Sequence, residues 1–347
     1  WSRLISIADE SAAALLRTSF STIVRESNDF ATVLMDENGD GLSENTGGIA
    51  SFNGILPRTL KSFLEKYPKE SLKPGDCIIT NDPWLATGHL PDITMAMPIF
   101  YKGKIVGFSG SIAHSPDIGG ALWGADCREL YEEGIYIPPL KFLREGKPNE
   151  DLLEIIQGNV RVPDQVLGDL YAQVTANEVC GRRLCEFLDD SKLTNLTGLS
   201  AALLERADWA MRQAILAVPD GTYRSELWAD GFDEDETHIK CAITIEGSDL
   251  TIDYTGTSKQ ITRGINCVMN YTDAYSVYPV KCALDPETPR NEGSYRPMRV
   301  IAPEGCILNP TRPAPVNARQ LTGHLLAGVI YKALVQAVPD KVIADCG

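Results

Sequence analysis

Two histidines and an aspartate are spaced in a way that suits a metal ion. His89 and Asp92 fall in Gly88-His89-Leu90-Pro91-Asp92, and His114 follows in Ala113-His114-Ser115-Pro116-Asp117, giving H-x2-D-x21-H. Two imidazoles and one carboxylate, with the other coordination positions left to water, are a donor set for a catalytic divalent ion such as Zn, Mn or Fe(II). The plainer alternative is a pair of hydrogen-bonded histidines at the end of a sheet. Asp82 and Asp117 are candidate catalytic residues nearby. Each can orient an imidazole, serve as an alternative ligand or form a turn, Asp82 before Pro83 in particular.

For these groups to meet, the chain between them must fold back on itself. Ile93, Met95, Met97 and Ile99 alternate, Lys102-Gly103 offers a two-residue turn, and Ile105 to Ile112 returns, which predicts a β-hairpin. With that turn, Ile93 is expected opposite Ile112, Met97 opposite Phe108 and Ile99 opposite Val106, all apolar pairs on one face. The same register sets Asp92 opposite Ala113 and Pro91 opposite His114. Neighbouring strands lie about 4.8 Å apart, so Asp92 and His114 emerge together at the open end. Pro91 prevents a regular helix through His89–Asp92, and a turn there brings His89 beside them.

The rest of the chain has the substance to support such a site. Its 347 residues, 44% apolar and 23% charged, suffice for one large core or two ordinary ones, and exclude disordered, collagen-like and coiled-coil architectures. Asp and Glu number 47 against 32 Lys and Arg, a net charge of −15, so no basic footprint exists for nucleic acid or an anionic membrane face. No apolar run approaches the roughly 20 residues that span a bilayer. No secretion signal opens the chain, and the nine cysteines are scattered without a CxxC pair. The expectation is reduced thiols in a cytoplasmic protein, with the Asn195 and Asn270 glycosylation patterns as chance matches.

Leu4, Ala8, Ala12 and Leu15 set a helical stripe at the first residues, and the last ones stop without a closing element, so the chain reads as cut at both ends. Helical signal dominates from about Asp164 to Ala217, with Val166, Leu170 and Val174 on one face and Leu204, Met211 and Ile215 on another. After Pro219-Asp220-Gly221, the segments Tyr223–Trp228, Ile239–Ile245 and Leu250–Tyr254 alternate as meander strands. A helix near Asp273–Leu284, a strand around Met298–Ile301 and a helix from Ala318 to Val338 complete the reading. Without regular βαβ alternation this is an α+β fold, mixed sheets with flanking helices. The expected domains are 1–218, carrying the metal motifs, and a β-rich region with helices, 219–347.

Other candidates weigh less. Asp36-Glu37-Asn38-Gly39-Asp40-Gly41 imitates half a calcium loop, but Gly47 stands where a bidentate Glu is needed, and a hairpin turn is the better reading. His238 follows the acidic run 233–236, read as a solvated loop, and His324 lies in an apolar helical stretch, read as a core or interface histidine. Nothing adjacent to Cys127 would lower its pKa, as a nucleophile requires. No phosphate loop, dinucleotide fingerprint or nucleophile elbow is present.

At these residues the chain resembles the hydantoinase B/oxoprolinase family, the metal-bearing subunit or half of ATP-dependent cyclic-amide hydrolases and related ketone carboxylases. The resemblance rests on Arg25-Glu26-Ser27-Asn28-Asp29-Phe30, on Asn81-Asp82-Pro83-Trp84 through Asp92, and on His114-Ser115-Pro116-Asp117-Ile118-Gly119-Gly120. Glu133-Gly134-Ile135, Asp253-Tyr254-Thr255-Gly256-Thr257-Ser258, Gly264-Ile265-Asn266 and Asn309-Pro310 through Pro315-Val316 extend it over essentially the whole chain. By that resemblance His89, Asp92 and His114 match the family's metal ligands, and a C-terminal portion beyond Gly347 is expected to be absent.

The resemblance also implies an activity. A separate nucleotide-binding unit of the hydantoinase A type holds ATP and Mg and phosphorylates the oxygen of a small cyclic amide (a hydantoin, 5-oxoproline or another lactam). A metal-bound hydroxide on the present chain then opens the ring, a metal lowering the pKa of its water from 15.7 toward about 7. The implied assembly is a hetero-oligomer. One alternative is a subunit of an ATP-dependent carboxylase acting on ketones such as acetone or acetophenone. The other is a non-catalytic assembly subunit.

Overall fold

The computed structural model describes residues 1–121, 124–232 and 235–343. The first half of the acidic run, residues 233–234, and Cys346 lie outside the described residues. The architecture is α+β, as expected, and divides into two compact units, Trp1–Leu122 with Gly134–Leu203, and Trp123–Glu133 with Leu204–Gly347.

In the first unit the chain runs α1 (Ser2–Thr18), α2 (Thr22–Ser27), β1 (Phe30–Asp36), β2 (Gly41–Glu44), α3 (Ala50–Lys66), β3 (Cys77–Thr80), β4 (Asp92–Tyr101), β5 (Lys104–His114), β6 (Leu140–Arg144), β7 (Lys147–Pro148), α4 (Glu150–Asn159) and α5 (Pro163–Asp190). After these comes α6 (Thr197–Leu216). The seven strands form one antiparallel sheet in the order β2-β1-β5-β4-β3-β6-β7. The helical stripe expected in α1 is real: Leu4, Ala8, Ala12 and Leu15 are buried.

Both faces of this sheet are covered. Phe52, Leu56, Leu60 and Phe63 of α3 pack on Ala31, Val33, Met35, Ala96, Phe108 and Ile112. On the other side Ala12 and Leu15 of α1 and Ala172 and Ala176 of α5 meet Phe30 and Ala113. That second seam is partly polar and well satisfied, with Ser109 Oγ donating to Asn177 Oδ1 at 2.8 Å and Asn177 Nδ2 to Ser111 Oγ at 3.0 Å. A sheet buried on both faces needs apolar residues on both, so alternation alone does not reveal its register.

The β4–β5 hairpin illustrates the consequence. Its turn is Lys102-Gly103, as expected, both with positive φ (50° and 79°), the backbone that two-residue hairpin turns demand. Tyr101 pairs with Lys104 and Phe100 with Ile105, but the next pair is Ile99 with Gly107. Val106 is therefore an extra residue on β5, a β-bulge, and every later pair slips by one. The expected Ile93–Ile112, Met97–Phe108 and Ile99–Val106 pairs do not form. Instead Ile93 faces Ala113, and Asp92 faces His114 directly.

The second unit contains β8 (Gly221–Phe232), β9 (Asp235–Glu246), β10 (Asp249–Asp253), α7 (Met269–Leu284), β11 (Met298–Ile301), α8 (Gln320–Gly323) and α9 (Leu325–Leu334). Its sheet has the order β11-β10-β9-β8, with β10 and β11 parallel and the other pairs antiparallel. Ile239, Cys241, Ile243 and Ile245 of β9 are buried, while β8 alternates exposed with half-buried residues, so one face meets solvent. The single helix expected over Ala318–Val338 is two shorter ones meeting at His324. That residue is exposed rather than in a core, its Nδ1 lying 2.9 Å from the Gln320 carbonyl.

Candidate metal centre

The strand-end pairing of Asp92 with His114 builds two sides of the site. His114 Nδ1 lies 2.8 Å from Asp92 Oδ1. Pro91 ends the loop that precedes β4, and the loop folds His89 back so that its Nε2 is 2.9 Å from the same Asp92 oxygen. The two imidazole rings stand 5.1 Å apart at 59°. One ligand atom from each of the three residues lies within 4.8 Å of the others, close enough for one cation to touch all three. The bulge at Val106 improves on the expected register, because it makes Asp92 and His114 direct partners.

Burial gives the cluster its meaning. His89 is 4% exposed, Asp92 0% and His114 2%. Taking three ionisable side chains out of water costs several kcal/mol unless opposite charge repays it. A nitrogen–nitrogen–oxygen donor set of borderline softness suits Zn, Mn or Fe(II), so the residues fit the group the sequence suggested.

Sequence reasoning missed a fourth residue, Asp29. Phe30 pairs with Ala113 across β1 and β5, so Asp29 falls beside His114. Its carbonyl accepts the His114 N–H at 3.0 Å, and its carboxylate Oδ2 lies 3.6 Å from His114 Nδ1. The signal was its place in Arg25–Phe30, but only the strand pairing brings it to the site.

The neighbouring aspartates hold loops. Asp82 Oδ1 accepts the Trp84 N–H at 3.0 Å and its Oδ2 accepts the Tyr136 hydroxyl at 2.8 Å. Next to it, the buried Asn81 donates through Nδ2 to the Leu90 and Ile135 carbonyls, each at 2.9 Å, and accepts the Ile137 N–H at 2.7 Å. The loop carrying His89 is thereby tied to residues 135–137. Asp117 accepts the Gly119 N–H at 3.0 Å, the Arg161 N–H, and the Arg161 guanidinium at 2.8 Å. Burial alone would raise its carboxyl, but those donors together hold it below the ordinary carboxylate range.

The remaining candidates separate from this centre. Asp36 Oδ1 accepts the Asn38 and Asp40 N–H groups and its Oδ2 the Ser200 hydroxyl, so the calcium-like loop is a closed hairpin turn. His238 sits on β9, not in a loop, stacked on Trp228 with ring centres 3.6 Å apart. Burial, with Glu133, Glu132 and Asp126 nearby, raises the Cys127 thiol, the opposite of what a nucleophile needs.

Comparison with known proteins agrees with the motifs. The Hydantoinase B/oxoprolinase family model matches residues 1–347. The chain belongs to that family. It is 34% identical over 363 residues to a D-/L-hydantoinase B-type component of Pseudomonas sp. (strain NS671), covering 99% of this chain and 61% of that protein. It is 29% identical to the beta component of the caprolactamase of Pseudomonas jessenii, covering 97% of this chain and 59% of that one. The crystal structure of the ATP-dependent caprolactamase from that organism superposes with a TM-score of 0.91 at 28% identity, over 98% of this chain and 60% of the other. This hydantoinase B family chain thus spans about 60% of the length of such relatives. Among its described residues, no helix is long and apolar enough to cross a membrane.

Proposed function

We propose that this chain is the metal-bearing part of an ATP-dependent hydrolase of cyclic amides, working with a hydantoinase A-type nucleotide-binding subunit in a cytoplasmic hetero-oligomer. The observation that carries the reading is the convergence of His89, Asp92 and His114 on one buried point. Membership of a family whose relatives are named hydantoinase, 5-oxoprolinase and caprolactamase supports the reaction class.

His89, Asp92 and His114 would hold one divalent ion, Zn or Mn or Fe(II), with Asp29 as a further oxygen donor. When bound, the ion supplies a Lewis acid and water acidic enough to ionise near neutral pH. The protein's own groups do the rest. Asp92 fixes the two imidazoles through one oxygen, and the low exposure of all three excludes bulk water, which strengthens every charge interaction inside. Asp29, the most solvent-accessible of the four at 29% of its side chain, sets a carboxylate oxygen 3.6 Å from His114 Nδ1 on the side of the cluster that water can reach. Asp82 and Asp117, the expected catalytic pair, serve by keeping the loops on either side of the hairpin in register.

The deciding experiment is ATP turnover by the purified chain with its nucleotide-binding partner, against a panel of lactams, hydantoins and ketones. Turnover that requires a lactam or hydantoin and is indifferent to bicarbonate supports this reading. Bicarbonate-dependent consumption of a ketone would replace it with the carboxylase, and a full-length protein without metal would replace it with an assembly role.

A further inference from the structure

Several motif segments that the metal centre does not use meet in the second unit. Leu130 N–H donates to the Pro313 carbonyl at 2.8 Å, Ala318 N–H to Gly264 at 2.7 Å, and Asn266 Nδ2 to Pro315 at 2.8 Å. Glu133 stands at the centre of this knot. Its side chain is fully buried, and one oxygen, Oε1, accepts the consecutive N–H groups of Val316 and Asn317 at 2.5 and 2.8 Å. The other oxygen, Oε2, is buried and has no hydrogen-bond partner among the described residues.

We propose that Glu133 is a proton-operated latch on the Pro313–Arg319 segment, which is shut while the carboxyl is neutral and opens to admit water to Oε2 once it is charged. A buried carboxylate with two donors on one oxygen and none on the other is poorly solvated, and opening the segment is the direct way to relieve it. The surrounding charges do not relieve it. Glu132 is a like charge, itself paired with Arg128 at 3.0 Å, and Asp126 and Cys127 lie on the same stretch of chain. Arg319, the cation of the facing segment, has its guanidinium 4.4 Å from the centre of the Tyr271 ring. Burial accordingly raises the carboxyl from 4.5 to about 7, against the lowering effect of the Asn317 and Val316 N–H groups. The closed state binds the proton more tightly, so its stability falls as pH rises from about 4.5 to about 7 and is level above that.

The test is hydrogen exchange of the full-length protein at pH 6 and pH 8, following a peptide that spans residues 313–319 and correcting for the intrinsic pH dependence of exchange. The corrected protection should fall about tenfold between the two, since the closed state gives up its proton advantage over that range. In Glu133→Gln, which keeps an acceptor for both amides and cannot ionise, the fall should vanish. Equal protection at the two pH values in the wild type overturns the latch, as does an undiminished fall in the Gln variant. The wild-type measurement decides alone where the variant does not fold.

Discussion

Two histidine–carboxylate pairs of nearly equal length sit in the two sheets, and they do different work. His114 and Asp92 are 2.8 Å apart between β5 and β4, buried in a sheet covered on both faces. His238 and Glu226 are 3.0 Å apart between β9 and β8, on a sheet with an open face, and the Glu226 side chain is 57% exposed. In the first pair, desolvation makes a lone charge expensive, and further polar partners gather round it: a second imidazole on the same Asp92 oxygen and a second carboxylate beside His114. In the second, water and salt screen the interaction, and the ring finds a flat aromatic neighbour instead. Distance alone would rank the pairs as equals. Environment separates a site from a surface contact.

The sharpest way to break this contrast is to remove a ligand. His114→Ala and Asp92→Asn should each weaken metal binding by about 100-fold or more, since changes in the outer shell alone cost 10–100-fold. Turnover of the assembled enzyme should disappear with the metal while the circular dichroism of the fold persists. Elemental analysis after dialysis is the measurement. Full metal occupancy in His114→Ala would refute the site.

A smaller effect is expected one step away, at the groups that fix the loops. Asn81→Ala strands the Leu90 and Ile135 carbonyls and the Ile137 N–H, at about 1–3 kcal/mol for each group left unsatisfied. Metal affinity should drop about tenfold through the displaced His89 loop. Asp117→Asn should cost about 1–3 kcal/mol at neutral pH through its weakened bonds to Arg161 and Gly119. Because the Asp117 carboxyl is held below its ordinary value of 3.8, its contribution is complete above that pH and lost as pH falls through the lower folded value. Unfolding curves of wild type and variant should therefore converge in acid. A constant difference down to pH 2 would show that the loop is held by other contacts.

These residues also mark what the sequence discloses. Composition and alternation suffice for the α+β class, and Gly103 marks the hairpin turn because few residues besides glycine accept its positive φ. The three candidate ligands were legible because His89 lies three residues before Asp92 and the hairpin returns His114 to them. The bulge at Val106 was not, since apolar side chains occupy both faces of β4 and β5 and favour neither register. Asp29 was hidden for a different reason. Its approach to His114 depends on β1 pairing with β5, far along the chain, and no local pattern encodes that partner. The same holds for Asn81 and Tyr136, whose hydrogen bonds join segments distant in sequence.

The weakest effect should come from the second pair, and its weakness is what makes it informative. Trp228 stands directly opposite His238 in the β8–β9 register, and the rings stack at 8° with the imidazole also reaching Glu226. Glu226→Gln removes the charge of a mostly exposed carboxylate from this contact and should change stability by less than about 0.5 kcal/mol. His238→Ala loses the stacked face as well, adding about 0.5–1.5 kcal/mol. Neither change should alter metal content or turnover, since nothing about this pair gathers further ligands. Raising salt from about 0.05 to about 0.5 M should erase the small Glu226→Gln effect, because the Debye length shrinks to a few ångströms. A loss of several kcal/mol, or of bound metal, from Glu226→Gln would mean that exposure does not distinguish the two pairs, and the contrast between the sheets would have to be rebuilt on other ground.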